Sequence, residues 1–292
     1  MSNYSIKDLE HFSGIKAHTI RIWEQRYDIL RPDRTDTNIR YYNQTELKLL
    51  LNIALLKNNG YKISTISKMK SNEISKQVLK VSINSKDYSG QIQSLTIAMM
   101  DFNEELFNQT YTNCLSSFGF ENTMINIIFP FMKQIGNLWT ADSIYPAQEH
   151  FISSLIRQKT IVAIDKCNNK TKENCQKYLF FLPENESHEL GLLFGNYIVT
   201  SRHHKVIYLG QNIPFEDLKI VQNQQQPDYI FSIFTLHPSP ENLQAYINLI
   251  ASTFPNTKIL LTGSQLVGKD YHCPSNVKIL QNIYEFIEIA SH

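Results

Sequence analysis

Long apolar runs are absent from the sequence, since no stretch of its 292 residues approaches the roughly 18 apolar residues that a membrane-spanning helix needs. The first nine residues are polar, which predicts no secretory signal. Cysteine is scarce, and the four present are scattered without the spacing of a metal site: Cys114, Cys167, Cys175 and Cys273. We therefore expect free thiols, a reducing cytoplasm and no contact with a membrane.

Signatures of catalysis are missing as well: the sequence shows no catalytic triad, no paired acids and no phosphate-binding loop, so we do not expect an enzyme. The hydrophobic share of 42% is ordinary for a folded protein and excludes wholesale disorder. The net charge of +1 hides an asymmetry. Residues 1–80 carry 14 basic and 8 acidic side chains, and the remainder carries 14 basic and 19 acidic ones. The basic segment predicts a polyanionic partner.

Periodicity divides the chain into three predicted domains, with polar stretches between them. Residues 1–75 contain short helical patterns, and residues 88–168 repeat apolar side chains at steps of three and four, which is typical of a helical bundle. Residues 176–292 alternate short strands with helices, which predicts a parallel, Rossmann-like (flavodoxin-like) sheet. The predicted fold class is therefore multidomain, α followed by α/β.

The first domain has the pattern of a helix-turn-helix. Ser5 can cap a first helix, Ser13-Gly14 forms a turn, and a second helix runs from about Lys16 to Tyr27. A hairpin with Asp36–Asn38 at its tip follows, and it can serve as a wing beside the DNA groove. The candidate DNA-binding side chains lie on the second helix and the hairpin: Lys16, His18, Thr19, Arg21, Arg34, Arg40 and Tyr41.

Residues 19–27 (TIRIWEQRY), 30–35 (LRPDRT) and 39–42 (IRYY) strongly resemble the MerR-type winged helix-turn-helix, in the branch with a C-terminal cobalamin-binding domain (CarH/LitR-like). The resemblance covers about residues 4–72 and implies binding to double-stranded promoter DNA. The sequence departs from the family at Asn38, where glycine is usual. Because Asn tolerates positive φ, the turn should survive. Metal-sensing members carry cysteines after a long helix, and nothing of this kind follows Ser71.

A tryptophan and a Glu-His pair flank the predicted loop between the last two helices of the bundle. Trp139, with Glu149 and His150 ten and eleven residues later, resembles the motif by which the helical cap of such sensors covers the upper face of cobalamin. In the light-sensing members a histidine follows the tryptophan and binds cobalt after illumination. Here that position is Thr140, so the same photoproduct is not expected.

In the third domain the pattern predicts five strands, with helices at Glu189–Thr200, Phe215–Gln224 and Pro240–Phe254. The strands are Tyr178–Leu182, Val206–Leu209, Tyr229–Phe234, Ile259–Leu261 and Val277–Leu280. Ligands of such sheets bind at the carboxyl ends of the strands, and the loop after the first strand holds Glu186 and His188. A carboxylate two residues before a histidine can accept one ring N–H and orient the other nitrogen toward a metal.

The sequence Glu186-x-His188-x-x-Gly191 resembles the Asp-x-His-x-x-Gly motif of cobalamin-binding domains, with Glu in place of Asp. The resemblance implies that His188 is the lower cobalt ligand. It also implies contacts to the buried nucleotide tail of cobalamin from four positions: Gly191, Ser232, Thr262 and Gly263. Two departures, Phe234 for leucine and Thr262 for glycine, add bulk beside the tail.

These features predict a regulator whose cobalamin, as adenosylcobalamin or methylcobalamin, controls oligomerisation and promoter occupancy, with a possible response to light. We expect a homo-oligomer, a dimer or a tetramer, because DNA sites of such proteins are usually two-fold, and RNA polymerase is a candidate partner. One alternative is a regulator whose third domain lacks a cofactor and only oligomerises. Another is a corrinoid carrier in methyl transfer, although a carrier has no need of a winged helix-turn-helix.

Overall fold

The structure, a computed structural model, describes residues 4–35, 37–84, 88–140, 144–167 and 174–292, without the side chains of residues 72, 75, 79–80, 82–84 and 137–140. The chain forms two units, Met1–Ser153 and Ser154–His292. Helices and one hairpin form the first unit, and the second contains a parallel sheet. The predicted fold class is therefore confirmed. The three predicted domain boundaries stay predictions.

A capping box starts the first helix, because the Ser5 side chain accepts the N–H of Asp8 while the Asp8 carboxylate accepts that of Ser5. Gly14 ends this helix with a φ of 68°, which a residue without Cβ adopts at little cost. The helix-turn-helix and its hairpin comprise α1 (Ile6–Ser13), α2 (Ala17–Tyr27), β1 (Asp33–Arg34) and β2 (Arg40–Tyr41). The two strands are antiparallel, as a wing requires.

Seven helices complete the first unit and lead into the second: α3 (Gln44–Asn58), α4 (Ile63–Ile66), α5 (Ser71–Asn84), α6 (Ser89–Met100), α7 (Glu104–Thr123), α8 (Phe129–Thr140) and α9 (Pro146–Cys167). A π-helical turn, Met124–Ile128, joins α7 to α8. Gly119 interrupts α7 with a φ of 74° and a ψ of 170°. Among the described residues, no helix is both long and apolar enough to cross a bilayer.

The backbone carbonyl of Met100, at the end of α6, joins two parts of the first unit. It accepts a hydrogen bond from the Gln44 amide of α3 (2.7 Å) and another from the buried Gln148 amide of α9 (3.2 Å). Beside this junction, the Lys48 ammonium pairs with the Asp101 carboxylate. Helix α3, which follows the wing, is thereby tied to the bundle.

The second unit alternates strands and helices, as predicted. Its elements after α9 are β3 (Lys177–Pro183), α10 (Leu190–Ser201), β4 (Lys205–Ile213), α11 (Phe215–Gln225), β5 (Tyr229–Ile233), α12 (Pro240–Thr253), β6 (Lys258–Thr262), β7 (Val277–Ile279) and α13 (Ile283–Ser291). All five predicted strands are present within a few residues of their predicted bounds. Only α13 lies outside the predicted elements.

The sheet is parallel and has the strand order β4-β3-β5-β6-β7, which is the doubly wound order of flavodoxin-like folds. One face of the sheet packs Leu179, Phe181 and Ile230 against α11 and α12. The other face presents aromatic rings to α10 and α13. The strand order reverses at β3, since β4 lies on one side of it and β5 on the other, and this reversal opens a crevice at the carboxyl ends of β3 and β5.

Gly263, directly after β6, approaches the backbone of the loop after β5 so closely that a side chain would not fit. An added Cβ would lie 2.3 Å from the carbonyl oxygen of Phe234, and the φ of Gly263 is 118°. We expect Gly263→Ala to lower the free energy of unfolding by about 2–4 kcal/mol, measured by urea denaturation. Gly268→Ala is the matched control.

Gly268 also has a positive φ, of 72°, but no atom lies within 4 Å of its added Cβ. Its replacement should cost only about 1 kcal/mol. Equal losses in the two variants would show that the close approach at Gly263 contributes nothing to stability.

Candidate functional site

The surface of α2 displays polar and apolar side chains along one stripe. Exposed side chains recur at three- and four-residue intervals and so share one helical face: His18, Arg21, Ile22, Gln25 and Arg26. The opposite face buries Ile20 and Trp23 in the core of the unit. A stripe of this composition can read base edges in a major groove, because arginine suits guanine, glutamine suits adenine, and an apolar side chain suits the thymine methyl group.

The first turn of α2 uses one of its predicted DNA contacts within the protein. Lys16 pairs with Glu10 at 3.0 Å, and the Glu10 carboxylate also accepts the N–H of Ala17. These contacts hold the pKa of Glu10 below its usual range. Thr19 is half-buried, and its hydroxyl lies 3.3 Å from the His18 ring. Lys16 is nevertheless largely exposed, so its ammonium can still meet a phosphate.

The wing is anchored to α2 by a nearly buried carboxylate, that of Glu24. One oxygen of Glu24 lies 3.2 Å from Nε of Arg40, and the other accepts the hydroxyl of the fully buried Tyr42. Burial, followed by the hydrogen bond to Glu24, raises the pKa of Tyr42 well above its ordinary value. Arg40, predicted to contact DNA, therefore also positions the wing.

The tip of the wing has the expected conformation. Asn38 has a φ of 64°, and its side chain accepts a hydrogen bond from the exposed guanidinium of Arg34 (2.6 Å). Tyr41 is half-buried, and Asp36 lies outside the described residues. Sequence reasoning missed Ile22, Gln25 and Arg26, although their spacing from Arg21 would have placed them on the same face.

The crevice between β3 and β5 contains a buried carboxylate with backbone donors on both oxygens and a histidine ring on one of them. Oε2 of Glu186 accepts the N–H groups of Thr235, Leu236 and His237, at 2.7–3.1 Å. Oε1 lies 2.5 Å from Nδ1 of the His188 ring and accepts the N–H groups of Ser187 and His188. Glu186, 1% exposed, thus holds together the loops that follow β3 and β5.

The surrounding hydrogen-bond donors favour the ionised form of Glu186. Burial by itself would raise the pKa of this carboxyl, but the His188 ring and the backbone N–H groups of Leu236, His237 and His188 hold the pKa well below its usual range. An ionised carboxylate at Nδ1 favours a proton on that nitrogen, which leaves Nε2 with the lone pair that a metal would need. The donor set at this edge therefore fits a lower cobalt ligand.

The remaining residues of the predicted cofactor site lie around the same edge. Gly191 is in the first turn of α10, Ser232 is fully buried near the end of β5, and Thr262 and Gly263 end β6. Phe234 is also fully buried, and its ring packs edge-on against Tyr246 at 5.6 Å between centroids.

The predicted contacts to the upper face of cobalamin lie in the first unit. Glu149 and His150 are in the first turn of α9, where a Glu149 oxygen lies 3.1 Å from Nδ1 of His150. The carboxylate is largely buried and the imidazole is largely exposed. The side chains of Trp139 and Thr140 lie outside the described residues.

Comparison with known proteins identifies two segments of the chain. Residues 4–73 match the family described as "MerR HTH family regulatory protein", and residues 91–163 match the family described as "B12 binding domain". The chain carries a MerR helix-turn-helix domain and a B12-binding domain. The B12 match covers α6 to most of α9, and the sheet follows it.

Two relatives align with most of the chain, and a third aligns with about a quarter of it. HTH-type transcriptional repressor CarH of Myxococcus xanthus is 22% identical over 260 residues, covering 86% of this chain and 85% of that protein. CarA of the same organism, also an HTH-type transcriptional repressor, is 22% identical over 245 residues, covering 83% and 80%. HTH-type transcriptional regulator MlrA of Escherichia coli (strain K12) is 32% identical over 73 residues, covering 25% and 30%. The chain is homologous to the repressors CarH and CarA.

A solved structure supports the fold of the B12-binding part. The monomethylamine corrinoid protein of Methanosarcina barkeri superposes with a TM-score of 0.54 at 13% identity, covering 68% of this chain and 95% of that one. The B12-binding match agrees with the expected cobalamin cofactor, while the form of the cofactor stays undetermined.

The stripe on α2 leads to a prediction for DNA binding by the MerR domain. Arg21→Ala and Gln25→Ala should each weaken binding to the chain's own promoter DNA by about 1–3 kcal/mol, because each removes a side chain suited to a base edge. Fluorescence anisotropy at constant salt measures the change. Lys219→Ala, in the second unit, is the control and should leave the affinity unchanged. Wild-type affinity in both α2 variants would contradict the assignment of this face.

Glu186 leads to a prediction for the pH dependence of stability. Glu186→Gln keeps the size of the side chain but turns one acceptor into a donor that faces N–H groups. We expect it to lower the free energy of unfolding by about 3 kcal/mol near pH 7. The folded-state pKa is depressed, so the carboxylate stabilises the fold above the ordinary value of 4.5, and this contribution declines as the pH falls below it.

The free energies of unfolding of wild type and Glu186→Gln should therefore differ less at about pH 3 than at about pH 7. Urea denaturation at each pH measures this difference. Glu216→Gln is the control, because Glu216 is largely exposed and pairs with Lys219 on the same helix. A difference that stays constant with pH would contradict the depressed pKa.

Proposed function

We propose that this protein is a transcriptional regulator that binds promoter DNA through α2 and its wing, and whose occupancy of the promoter is set by a corrinoid held at the carboxyl edge of the sheet. The observation that carries the proposal is the pairing of His188 with the buried Glu186 at the point where the strand order reverses. Imidazole is a good cobalt ligand, and this point is where doubly wound sheets bind their ligands.

Five residues of the predicted cofactor site have roles in this proposal. His188 would hold the cobalt of a bound corrinoid through Nε2, with Glu186 orienting the ring. By the resemblance, Trp139 would cover the bound corrin, and Glu149 with His150 would contact the cobalt ligand on the covered side. When bound, the corrinoid supplies a cobalt ion whose axial ligands can exchange. The protein binds and orients that ion, so we propose a sensor and not an enzyme.

Linkage connects the two parts. A corrinoid that binds one assembly of the chain more tightly than another shifts the population of that assembly, and with it the occupancy of DNA. A dimer or tetramer on a two-fold promoter site, with RNA polymerase as a further partner, fits this scheme. We propose that the protein acts in the cytoplasm. Thr140 offers a hydroxyl where light-sensing relatives have a histidine, so we do not propose the same photoproduct.

A second candidate is a regulator that uses its third domain, residues 176–292 (the sheet domain), only to oligomerise. The burial of Phe234 favours it, because a ring at this position takes up space beside the predicted cofactor contacts. A corrinoid carrier is less well supported, because the homologues CarH and CarA are repressors.

The experiment combines a spectrum with a DNA-binding assay on the full-length protein. Wild type should change the visible absorbance of adenosylcobalamin in the dark, and His188→Ala should bind the corrinoid more weakly and shift its spectrum, since the lower ligand is lost. Glu186→Gln should weaken corrinoid binding by about 10-fold, because a neutral amide orients the His188 ring less firmly than the carboxylate does. His272→Ala replaces an exposed histidine elsewhere and should match wild type.

The corrinoid should also change the affinity of wild type for its own promoter, and this change should be lost in His188→Ala. A wild type that takes up no corrinoid at micromolar concentration but still binds the promoter would refute corrinoid sensing and favour the cofactor-free regulator.

A further inference from the structure

The position that resemblance assigns to the nucleotide tail at the start of α10 is filled by the protein itself. A Cβ added to Gly191 would lie 2.8 Å from Cδ1 of Ile233, at the end of β5. The space that a glycine leaves beside this helix is therefore taken by an isoleucine side chain. An inserted nucleotide would have to displace Ile233.

The two hydroxyl groups expected to meet the tail have partners inside the sheet domain. The Ser232 hydroxyl, fully buried, donates to the carbonyl of Phe181 at 2.8 Å. The Thr262 hydroxyl donates to the carbonyl of Leu280 at 3.1 Å. At Gly263 the missing side chain makes room for the backbone of Phe234, as described above, and not for a ligand.

The packing continues deeper along α10. A Cβ added to Gly195 would lie 2.8 Å from the Phe180 ring and 3.0 Å from the Phe231 ring. The Phe231 ring in turn packs on Phe286 of α13, with centroids 4.4 Å apart. These three rings are at most 2% exposed, so the layer between the sheet and these helices is filled with side chains that a nucleotide would have to move.

We propose that the sheet domain binds the corrin ring through His188 and leaves the nucleotide tail outside its core, so that it prefers corrinoids without a lower base, of the cobinamide type. The inference rests on the proposed function and narrows its ligand. It follows from the contrast between the edge of the sheet, where Glu186 and His188 present a metal-binding imidazole, and the interior, where the tail positions are occupied.

Competition at cobalt gives the expected direction. In free cobalamin the benzimidazole of the tail occupies the lower cobalt position, and His188 must displace it. If the core accepted the displaced tail, new contacts would offset the free-energy cost of the displacement. A filled core offers few such contacts. A cobinamide has only water at the lower position, so His188 meets no such competitor.

The test titrates the full-length protein in the dark with adenosylcobalamin and with adenosylcobinamide, which share the upper ligand and differ in the nucleotide tail. Visible absorbance gives both dissociation constants. We expect cobinamide to bind at least about 10-fold more tightly, and His188→Ala to weaken both. Cobalamin binding as tightly as cobinamide, or more tightly, would overturn the inference and leave the proposed corrinoid sensor standing. If neither corrinoid binds, both fall.

Gly191→Ala provides a second readout, because its new methyl group meets only the movable end of Ile233. With the tail outside, both affinities should stay within about twofold of wild type. A loss of cobalamin binding with unchanged cobinamide binding would place the tail against Gly191 and overturn the inference. Circular dichroism confirms that the variant is folded.

Discussion

A buried negative charge, that of Glu186, sets the geometry of the carboxyl edge of the sheet. A carboxylate with 1% exposure is tolerated only where donors compensate for lost water, and here they come from two loops that follow neighbouring strands. The same group therefore closes the crevice and orients the His188 ring. Glutamate reaches across to the second loop with its extra methylene, so the replacement of the usual aspartate is accommodated through backbone contacts.

Much of the architecture could be predicted from the sequence because it is written in local patterns. Strand β5 and helix α12 follow from apolar runs and spacing, and Ser5 marks the start of α1 through its cap. Helix α13 was missed, although Asn282 caps it and Phe286 and Ala290 recur at helical spacing. The site was predicted less fully because its contacts join distant residues. Neither the pairing of Arg40 with Glu24 nor the position of Ile233 over Gly191 has a local signature.

Some of the basic side chains in the first domain form ion pairs within the protein. Lys16 faces Glu10, Arg31 faces Asp28 and Arg40 lies beside Glu24. These pairs orient the turn, the loop and the wing around α2, so the charge asymmetry of the sequence overstates the number of cations that face DNA alone. The paired cations therefore contribute to the shape of the surface around α2, and the remaining charge there is a separate contribution to DNA binding.

The Met100 carbonyl bears on how such proteins can be recombined. Because Gln44 and Gln148 both donate to it, a chain cut between α5 and α6 would strip the Gln44 amide of its acceptor and Lys48 of its counter-ion. The helix-turn-helix and α3 therefore cannot be separated from α6 without the loss of these contacts. A chimera that grafts the helix-turn-helix and α3 onto another protein should therefore carry α6 and the start of α9 with them.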